Sequence, residues 1–467
     1  MGVQVESWLT RAARVRPHGV AVESLDGART YAQLQARARA DARALAQRGA
    51  QRGDRVAIAL PPGLAFAEAL HACLLLGAVA VPVDPRLSAA EQRAICDGAA
   101  LVIDESLADV AGDCGAVAAK DEAEDEAAAA EELHELDAVA AIIHTSGTTS
   151  APRPIELTYG NFLWSALGSA VALDLDPHER WLCVLPVSHV GGLSILVRSA
   201  IYATTAVVHP GWDTERVLDA LGADGERGIT LVSLVATTLA RLLDAMPAHA
   251  QRPPRLRWAL TGGGPVSQTL IARAREAGVP VSTTYGLTEA CSQVTTGGPP
   301  LFCTRVRIEG AARRAEGAGG DGGDHGREGE ILVAGPTVAP GSRDPDGWLH
   351  TGDLGVLDDH GNLRVTGRAA DTIVSGGENV APAEVEAALE AHPDVQEAAV
   401  LGRSDPTWGE TVTAIVVARP GVELREEALR VHCSGLLARY KVPKQFDFRN
   451  APLPRTRSGK LLRRELR

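Results

Sequence analysis

WLCVLPVSHVGGLSILVRSAIYATTAVVHP, residues Trp181–Pro210, holds the pattern that decides the fold. WLCVLP and TTAVVHP are short apolar runs of strand length. Between them VGGLSILVRSAIYA is long and apolar enough for a buried helix. Strand, helix, strand in that order implies parallel pairing, because parallel strands need a crossover connection. The pattern recurs in both directions. Upstream, RVAIALP (Arg55–Pro61), LAFAEALHACLLLG and VAVPVDP repeat it. Downstream, GITLVSLV precedes ATTLARLLDAM, and LRWALTGGG precedes VSQTLIARAREAG. The expected class is α/β, with parallel sheets covered by helices and ligand sites beyond the strands' carboxyl ends.

After about residue 330 the pattern changes. EILVAGP, WLHTGDLGVLD and GNLRVTG are short strands with turns, expected as a small β-barrel-like section. The last hundred residues read as a small α+β unit: helical PAEVEAALEAH, strands VQEAAVLG and TVTAIVVARP, helical REEALRVHCSGLLARY. A cut between residues 367 and 368 divides a large unit, 1–367, from a small one, 368–467. The acidic run DEAEDEAAAAEELHELD, 121–137, is expected as a solvated helix or linker. EGAGGDGGDHGREG, ending at Gly329, is expected as a flexible loop.

Composition narrows the function. A chain of 467 residues, 45% hydrophobic and 22% charged, is long enough for a large core and about three structural units. With 46 basic against 59 acidic residues the net charge is −13, which disfavours nucleic acid and anionic membranes as partners. Seven scattered cysteines without a CxxC pair suit a reduced, cytoplasmic protein. No apolar run reaches the ~20 residues of a membrane span. Homo-oligomerisation stays open.

AAIIHTSGTTSAPRPIELTYGNF (Ala140–Phe162) is the strongest chemical motif. An apolar strand runs into Thr145-Ser146-Gly147-Thr148-Thr149, a small, hydroxyl-rich loop. Glycine permits close backbone approach, and N–H and hydroxyl donors satisfy phosphoryl oxygens. Walker A spacing is absent, and alone these five residues fit an ordinary Ser/Thr turn equally well. Other segments decide it. STTYGLTEA (Ser282–Ala290) follows a strand and ends in a carboxylate suited to Mg²⁺ beside phosphates. GWLHTGDLG puts Asp353 in a turn, placed to accept from ribose hydroxyls. GRAADTIVSGGENVAPAEVE (Gly367–Glu386) and PRTRSGKLLRREL (Pro454–Leu466) complete the series.

Together these motifs, over essentially the whole chain and in order, resemble the adenylate-forming superfamily of acyl-CoA synthetases, amino-acid adenylation domains and luciferases. The resemblance implies a mobile C-terminal lid on a large nucleotide-binding domain. It implies that Thr145–Thr149, with Arg153, cradle the ATP phosphates. Gly262, Gly263, Gly264 and Pro265 would line the adenine and acyl pocket, with Tyr285 stacked on the base. Thr288 would contact the α-phosphate and Glu289 the Mg²⁺. Asp353 and Arg368 would hold the ribose, and Lys460 would bridge substrate carboxylate and α-phosphate as the catalytic lysine.

Three positions depart from the family pattern. The loop continues Ser150-Ala151-Pro152-Arg153 where relatives have Gly-x-Pro-Lys, and Arg is planar and bulkier than Lys. The usual hinge Asp or Lys is Ala370, and Ala236 stands where relatives often have Pro.

Amino-acid adenylation domains hold the substrate ammonium with an Asp, which PVSHVGGLSILVRS lacks. That stretch instead resembles the corresponding segment of the o-succinylbenzoate–CoA ligases of menaquinone biosynthesis. The implied substrate is an aromatic keto acid with two carboxylates, o-succinylbenzoate. Ser188 or Arg198 would meet the spectator carboxylate, and His189 would gate the acyl pocket or carry a proton. CoA, the implied acceptor, would pass Gly376-Gly377, with Trp408 packed on it. The rivals are another aryl- or short-chain acyl-CoA synthetase and, in a different class, a non-catalytic nucleotide-binding relative.

Overall fold

The structure, a computed structural model, describes residues 2–107, 133–145, 153–246, 252–310, 326, 328–375, 378–405, 409–437, 439–456 and 461–466. The Trp181–Pro210 stretch folds as read. Strand Arg180–Cys183 leads into helix Val190–Tyr202 and on to strand Thr205–Val208, parallel to the first. These strands lie at the middle of an eight-stranded sheet. Its parallel core runs Val281–Leu287, Trp258–Thr261, Leu231–Leu234, Arg180–Cys183, Thr205–Val208, Val20–Ser24. Antiparallel strands Ser292–Thr296 and Gly27–Thr30 close its edges.

A second sheet orders Leu101–Ile103, Arg55–Ile58, Val79–Pro82, Val139–Thr145 and Arg153–Thr158, parallel except for the last. Helix Leu64–Leu76 touches strands of both sheets. Its sequence is apolar almost all round, as a helix buried on every side must be. Ala57, Val79 and Val81 pack on the opposite face of the second sheet with Ile95 of helix Ala89–Cys96.

The β-rich section is a four-stranded antiparallel meander: Arg305–Glu309, Gly329–Ala334, Leu349–Leu357 and Leu363–Arg368. Its last strand ends at Arg368, and the next begins at Ile373. The small C-terminal domain has its own five-stranded sheet and core. Its long hairpin Val395–Asp405/Gly409–Ala418 is flanked by helices Pro382–Glu390 and Glu426–Leu436. Strand Gln445–Arg449 joins it in parallel, a pairing that no periodicity announced. Arg463 makes a bidentate contact with Glu386 at 2.6 and 2.7 Å, tying the C-terminal segment to helix Pro382–Glu390.

One segment departs from its sequence reading. The end of the acidic run, Leu133–Glu135, is a strand antiparallel to Gln4–Glu6 rather than a solvated helix or linker. Its His134 is buried, stacked on Tyr159 and edge-on to Trp8. The packing of one imbedded ring overrides the charge around it. Residues 121–132 and most of the glycine-rich run lie outside the described residues. Among those described, no helix is long and apolar enough to cross a membrane, and six cysteines are free.

Two buried imidazoles make the fold acid-sensitive. Burial pushes His71 down to about 4, and burial with the charges of His71 and Arg52 pushes His134 down to about 3. Both are neutral in the fold, whereas an unfolded histidine protonates near pH 6.5. Stability is therefore complete above that value and lost as pH falls towards the folded pKa. Between pH 6.5 and 5 each histidine should cost up to about 2 kcal/mol. Urea unfolding of the wild type and of His71→Gln at both pH values isolates the contribution. Equal pH slopes in the two proteins would show that His71 contributes none of it.

Candidate active site

The carboxyl end of the large sheet builds the site. Strand Trp258–Thr261 gives way to Gly262-Gly263-Gly264-Pro265, where Gly262 is buried and the next three residues are exposed. A side chain on Gly262 would begin 2.4 Å from the Thr284 hydroxyl, so only glycine lets the two strand ends lie this close. The neighbouring strand Val281–Leu287 carries Tyr285 and runs into the short 3₁₀ turn Thr288–Ala290, which holds Thr288 and Glu289. The chain then reverses through two residues with positive φ, Cys291 at 51° and Ser292 at 88°. Non-glycine residues held there signal a conformation imposed by the surroundings. Gly286 faces the reversal at a register shift, where a Cβ would lie 1.7 Å from the Ser292 carbonyl oxygen.

The antiparallel meander closes over this turn. Asp353 pairs with Arg368 across neighbouring strands, and Arg368 Nε donates to Asp353 Oδ1 at 2.7 Å. Tyr285 donates its hydroxyl to Asp353 Oδ2 at 2.8 Å. Burial first, then the Asp353 charge, push the Tyr285 phenol far above its ordinary value. It is a permanent donor. Burial opposes the charge of Arg368, but Asp353 beside it prevails and raises the guanidinium pKa. Asp353 lies within strand Leu349–Leu357 rather than in the turn expected from sequence, and Thr351 braces that strand. Its hydroxyl donates to the Ile331 carbonyl at 2.7 Å and accepts the Asp353 N–H at 3.0 Å. Glu330 accepts the Gly352 N–H at 3.0 Å and contacts His350 Nδ1 at 3.1 Å.

A cleft of about 330 Å³ lies between these elements, lined by Arg153, Glu289, Arg343, Asp344, His350, Thr351 and Arg368 among others. Three residues from separate motifs thus meet: Arg153 from the start of the strand after the hydroxyl-rich loop, Glu289 from the turn, and Arg368 from the last meander strand. Three guanidinium groups around one cavity suit a polyphosphate. Among the described residues the Glu289 carboxylate has no ion-pair partner, and its backbone carbonyl is fixed by the Ala339 N–H at 2.7 Å. A carboxylate without an ion-pair partner beside three guanidinium groups suits Mg²⁺. Arg343, Trp348, His350 and Thr351 were not singled out from sequence. Three of them sit in the same GWLHTGDLG motif as Asp353, which was the available signal.

Thr145 ends its strand opposite Arg153, and its hydroxyl donates to the Arg153 carbonyl at 3.3 Å. The hydroxyl-rich loop therefore joins two antiparallel strands. Ser146–Thr149, Gly376, Gly377, Trp408 and Lys460 lie outside the described residues. Ser188 and His189 are half-buried beyond strand Arg180–Cys183, with His189 at the cap of helix Val190–Tyr202. Arg198 lies deeper in that helix, 3% exposed. Its Nη2 donates to Ser165 Oγ at 2.9 Å, and Ser165 donates to the Cys291 carbonyl at 2.6 Å. The guanidinium carbon lies 5.6 Å from the Trp181 ring centre, while Nε has no partner. Burial lowers its pKa, and no carboxylate among the described residues pairs with it. A salt-bridge role is thus not what holds it.

Comparison with known proteins gives the family. The chain matches the AMP-binding enzyme family over residues 9–342 and the AMP-binding enzyme C-terminal domain over 384–460. It belongs to the AMP-binding, adenylate-forming family. With full-length similarity to CoA ligases within that family, it is an AMP-forming acid–CoA ligase. The 2-succinylbenzoate–CoA ligase of Bacillus licheniformis is 39% identical, covering 98% of this chain and 99% of its own. That of Geobacillus kaustophilus is 39% identical over 99% and 97%. Among solved structures, o-succinylbenzoate CoA synthetase (MenE) from Bacillus subtilis with the acyl-adenylate OSB-AMP is 34% identical. Its TM-score is 0.83, over 100% of this chain and 98% of that one. ATP-bound MatB from Rhodopseudomonas palustris has the same TM-score at 27% identity, over 99% and 98%. The same Bacillus subtilis enzyme has also been solved with ATP and magnesium.

The close approach at Gly286 is testable. Gly286→Ala should destabilise by about 3 kcal/mol or more, since a methyl group cannot share space with a backbone carbonyl. Denaturant unfolding reads the loss, and nucleotide binding should weaken with it. An unchanged midpoint would show that the turn can relax.

Proposed function

We propose that this enzyme joins o-succinylbenzoate to CoA by way of an acyl-adenylate. The observation that carries the reading is Arg198, a buried guanidinium behind the Thr288–Cys291 turn that no carboxylate among the described residues pairs with. An uncompensated buried cation is costly, and a second substrate carboxylate would neutralise it. Full-length similarity to 2-succinylbenzoate–CoA ligases supports the same substrate.

In the first half-reaction a carboxylate oxygen attacks the α-phosphorus of ATP, and pyrophosphate leaves. In the second the CoA thiolate attacks the acyl carbonyl, a C–S bond forms and AMP leaves. Arg153 and the hydroxyl-rich loop would hold the β- and γ-phosphates, and Asp353 the ribose hydroxyls together with Arg368, which bonds to its carboxylate. Gly262–Pro265 would line the adenine and acyl pocket, with Tyr285 against the base. Thr288 would donate to the α-phosphate and Glu289 would hold Mg²⁺. Bound there, Mg²⁺ supplies charge neutralisation on the phosphate oxygens as the carboxylate approaches. Lys460, on the C-terminal domain, would bridge carboxylate and α-phosphate during adenylation, then withdraw as that domain turns to admit CoA past Gly376-Gly377 and Trp408. Ser188 and His189 would border the acyl pocket.

Thioester formation across o-succinylbenzoate, benzoate, coumarate and octanoate tests the substrate. o-Succinylbenzoate should be preferred. Equal turnover of the monocarboxylic acids would assign a general aryl- or short-chain acyl-CoA ligase instead, and no acid-dependent pyrophosphate exchange at all would mark a nucleotide binder without catalysis.

Arg198→Ala should weaken o-succinylbenzoate binding by roughly 10- to 100-fold and ATP binding far less, as a charge-assisted contact is worth about 1.5–3 kcal/mol. Unchanged acid affinity in a folded variant would remove Arg198 from the site.

Lys460→Ala should slow adenylation by on the order of 10²-fold while thioester formation from supplied acyl-adenylate is largely kept. Trp408→Ala should show the reverse. Stopped-flow measurement of each half-reaction decides, and equal losses in both steps for Lys460→Ala would rule out the alternation.

A further inference from the structure

Helix Tyr159–Leu173 has an outer face with nothing to solvate it. None of its fifteen residues is charged. Its inner side, including Tyr159, Phe162, Ser165 and Ala166, is buried. The exposed positions are Trp164, Leu167, Val171 and Ala172. A surface helix normally turns polar residues to water. This one turns a tryptophan 37% exposed, a leucine 39% and a valine 67%. Phe302, 60% exposed, extends the face, its ring centre 6.5 Å from that of Trp164. The loop carrying Phe302 is fixed against the helix, since Cys303 Sγ donates to the Trp164 carbonyl at 3.4 Å. Leu175, 40% exposed, prolongs the stripe beyond the helix cap.

We propose that this face is the centre of an interface with a second copy of the chain, the two Tyr159–Leu173 helices packing antiparallel about a two-fold axis near Leu167. Together these side chains expose apolar area on the order of 400 Å². A standard interface removes about 800 Å² from each partner, somewhat over half of it apolar. The stripe therefore supplies nearly the whole apolar share of one side. Antiparallel pairing sets Trp164 and Phe302 of one copy against Val171 and Leu175 of the other, large rings against smaller aliphatics. It also opposes the helix dipoles favourably.

Other occupants fit less well. A membrane-surface helix carries Lys and Arg along its polar side, whereas this helix has no charge and the chain's net charge is −13. The long stretches outside the described residues, 108–132 and 311–325, contain Val110 and Val117 as their only large apolar side chains, too few to cover the face. Two acidic copies repel at long range, and an uncharged face is where that repulsion is least.

Sedimentation velocity across a micromolar concentration series tests the proposal on the full-length protein. The wild type should be a dimer, and Val171→Glu should weaken association by roughly 100-fold or more, because a buried carboxylate would face its own copy. Unchanged far-UV circular dichroism and retained pyrophosphate exchange show that the variant is folded. Should Val171→Glu not fold, Leu167→Cys serves, since a bismaleimide should link two copies across the axis. A monomeric wild type overturns the proposal. So does a dimer unaffected by Val171→Glu and not linked through Leu167→Cys. Sedimentation of the wild type with phosphatidylcholine–phosphatidylglycerol vesicles, lost in Val171→Glu, would assign the face to a lipid surface and equally overturn it.

Discussion

Burial of one apolar helix between two parallel sheets organises the large domain. Leu64–Leu76 contributes Leu64, Phe66, Ala67, Leu70, Ala72, Cys73 and Leu74 to a single core shared with strands of both sheets. Helix Val190–Tyr202 packs into the same core through Leu193, Ile195, Leu196 and Val197. At about 25 cal/mol per Å² of apolar surface, such burial is the main force holding the sheets together. Because crossover helices leave a parallel sheet only one way to run, the loops that follow its strands collect at one edge. The Gly262–Gly264 segment, the Thr288–Ala290 turn and the His189 cap all follow parallel strands of the same sheet.

At that edge, electrostatics replaces apolar packing as the organising term. Asp353 receives bonds from Tyr285 and Arg368 at once, joining the large sheet to both strands of the meander that flank the cleft. Opposite it, Glu289 has no ion-pair partner among the described residues, on a turn followed by two residues with positive φ. Deeper still, Arg198 has no carboxylate partner among the described residues either, and reaches that turn through Ser165 and the Cys291 carbonyl. Charges of opposite sign, unpaired among the described residues, thus lie on either side of one turn. A folded protein tolerates that arrangement where ligands complete it.

Much of the site was legible because each motif joins a strand pattern to residues with an unusual chemical demand. STTYGLTEA showed a strand ending in a carboxylate, and the structure puts Glu289 on a turn immediately after that strand. GWLHTGDLG marked Asp353, but its neighbours His350 and Thr351 gained meaning only when the meander curled them towards Glu289 and Arg153. The Leu133–Glu135 strand was hidden for a different reason. Local charge argued for solvent, while the decisive contact, His134 on Tyr159, spans residues far apart in the chain.

The sequence by itself determined the class of fold, the order of strands and helices, and three of the charged groups lining the cleft, Arg153, Glu289 and Arg368, because those depend on short-range periodicity and on residue chemistry. Tertiary structure alone decided which of those groups meet. It made Arg198 a buried cation without a carboxylate partner among the described residues. It also left the uncharged face of Tyr159–Leu173 open to solvent, although its composition reads as that of a helix buried on every side. Partnership and exposure depend on distances between segments remote in sequence. No local pattern encodes them, so only the packed chain can settle whether a charge is paired or an apolar face is covered.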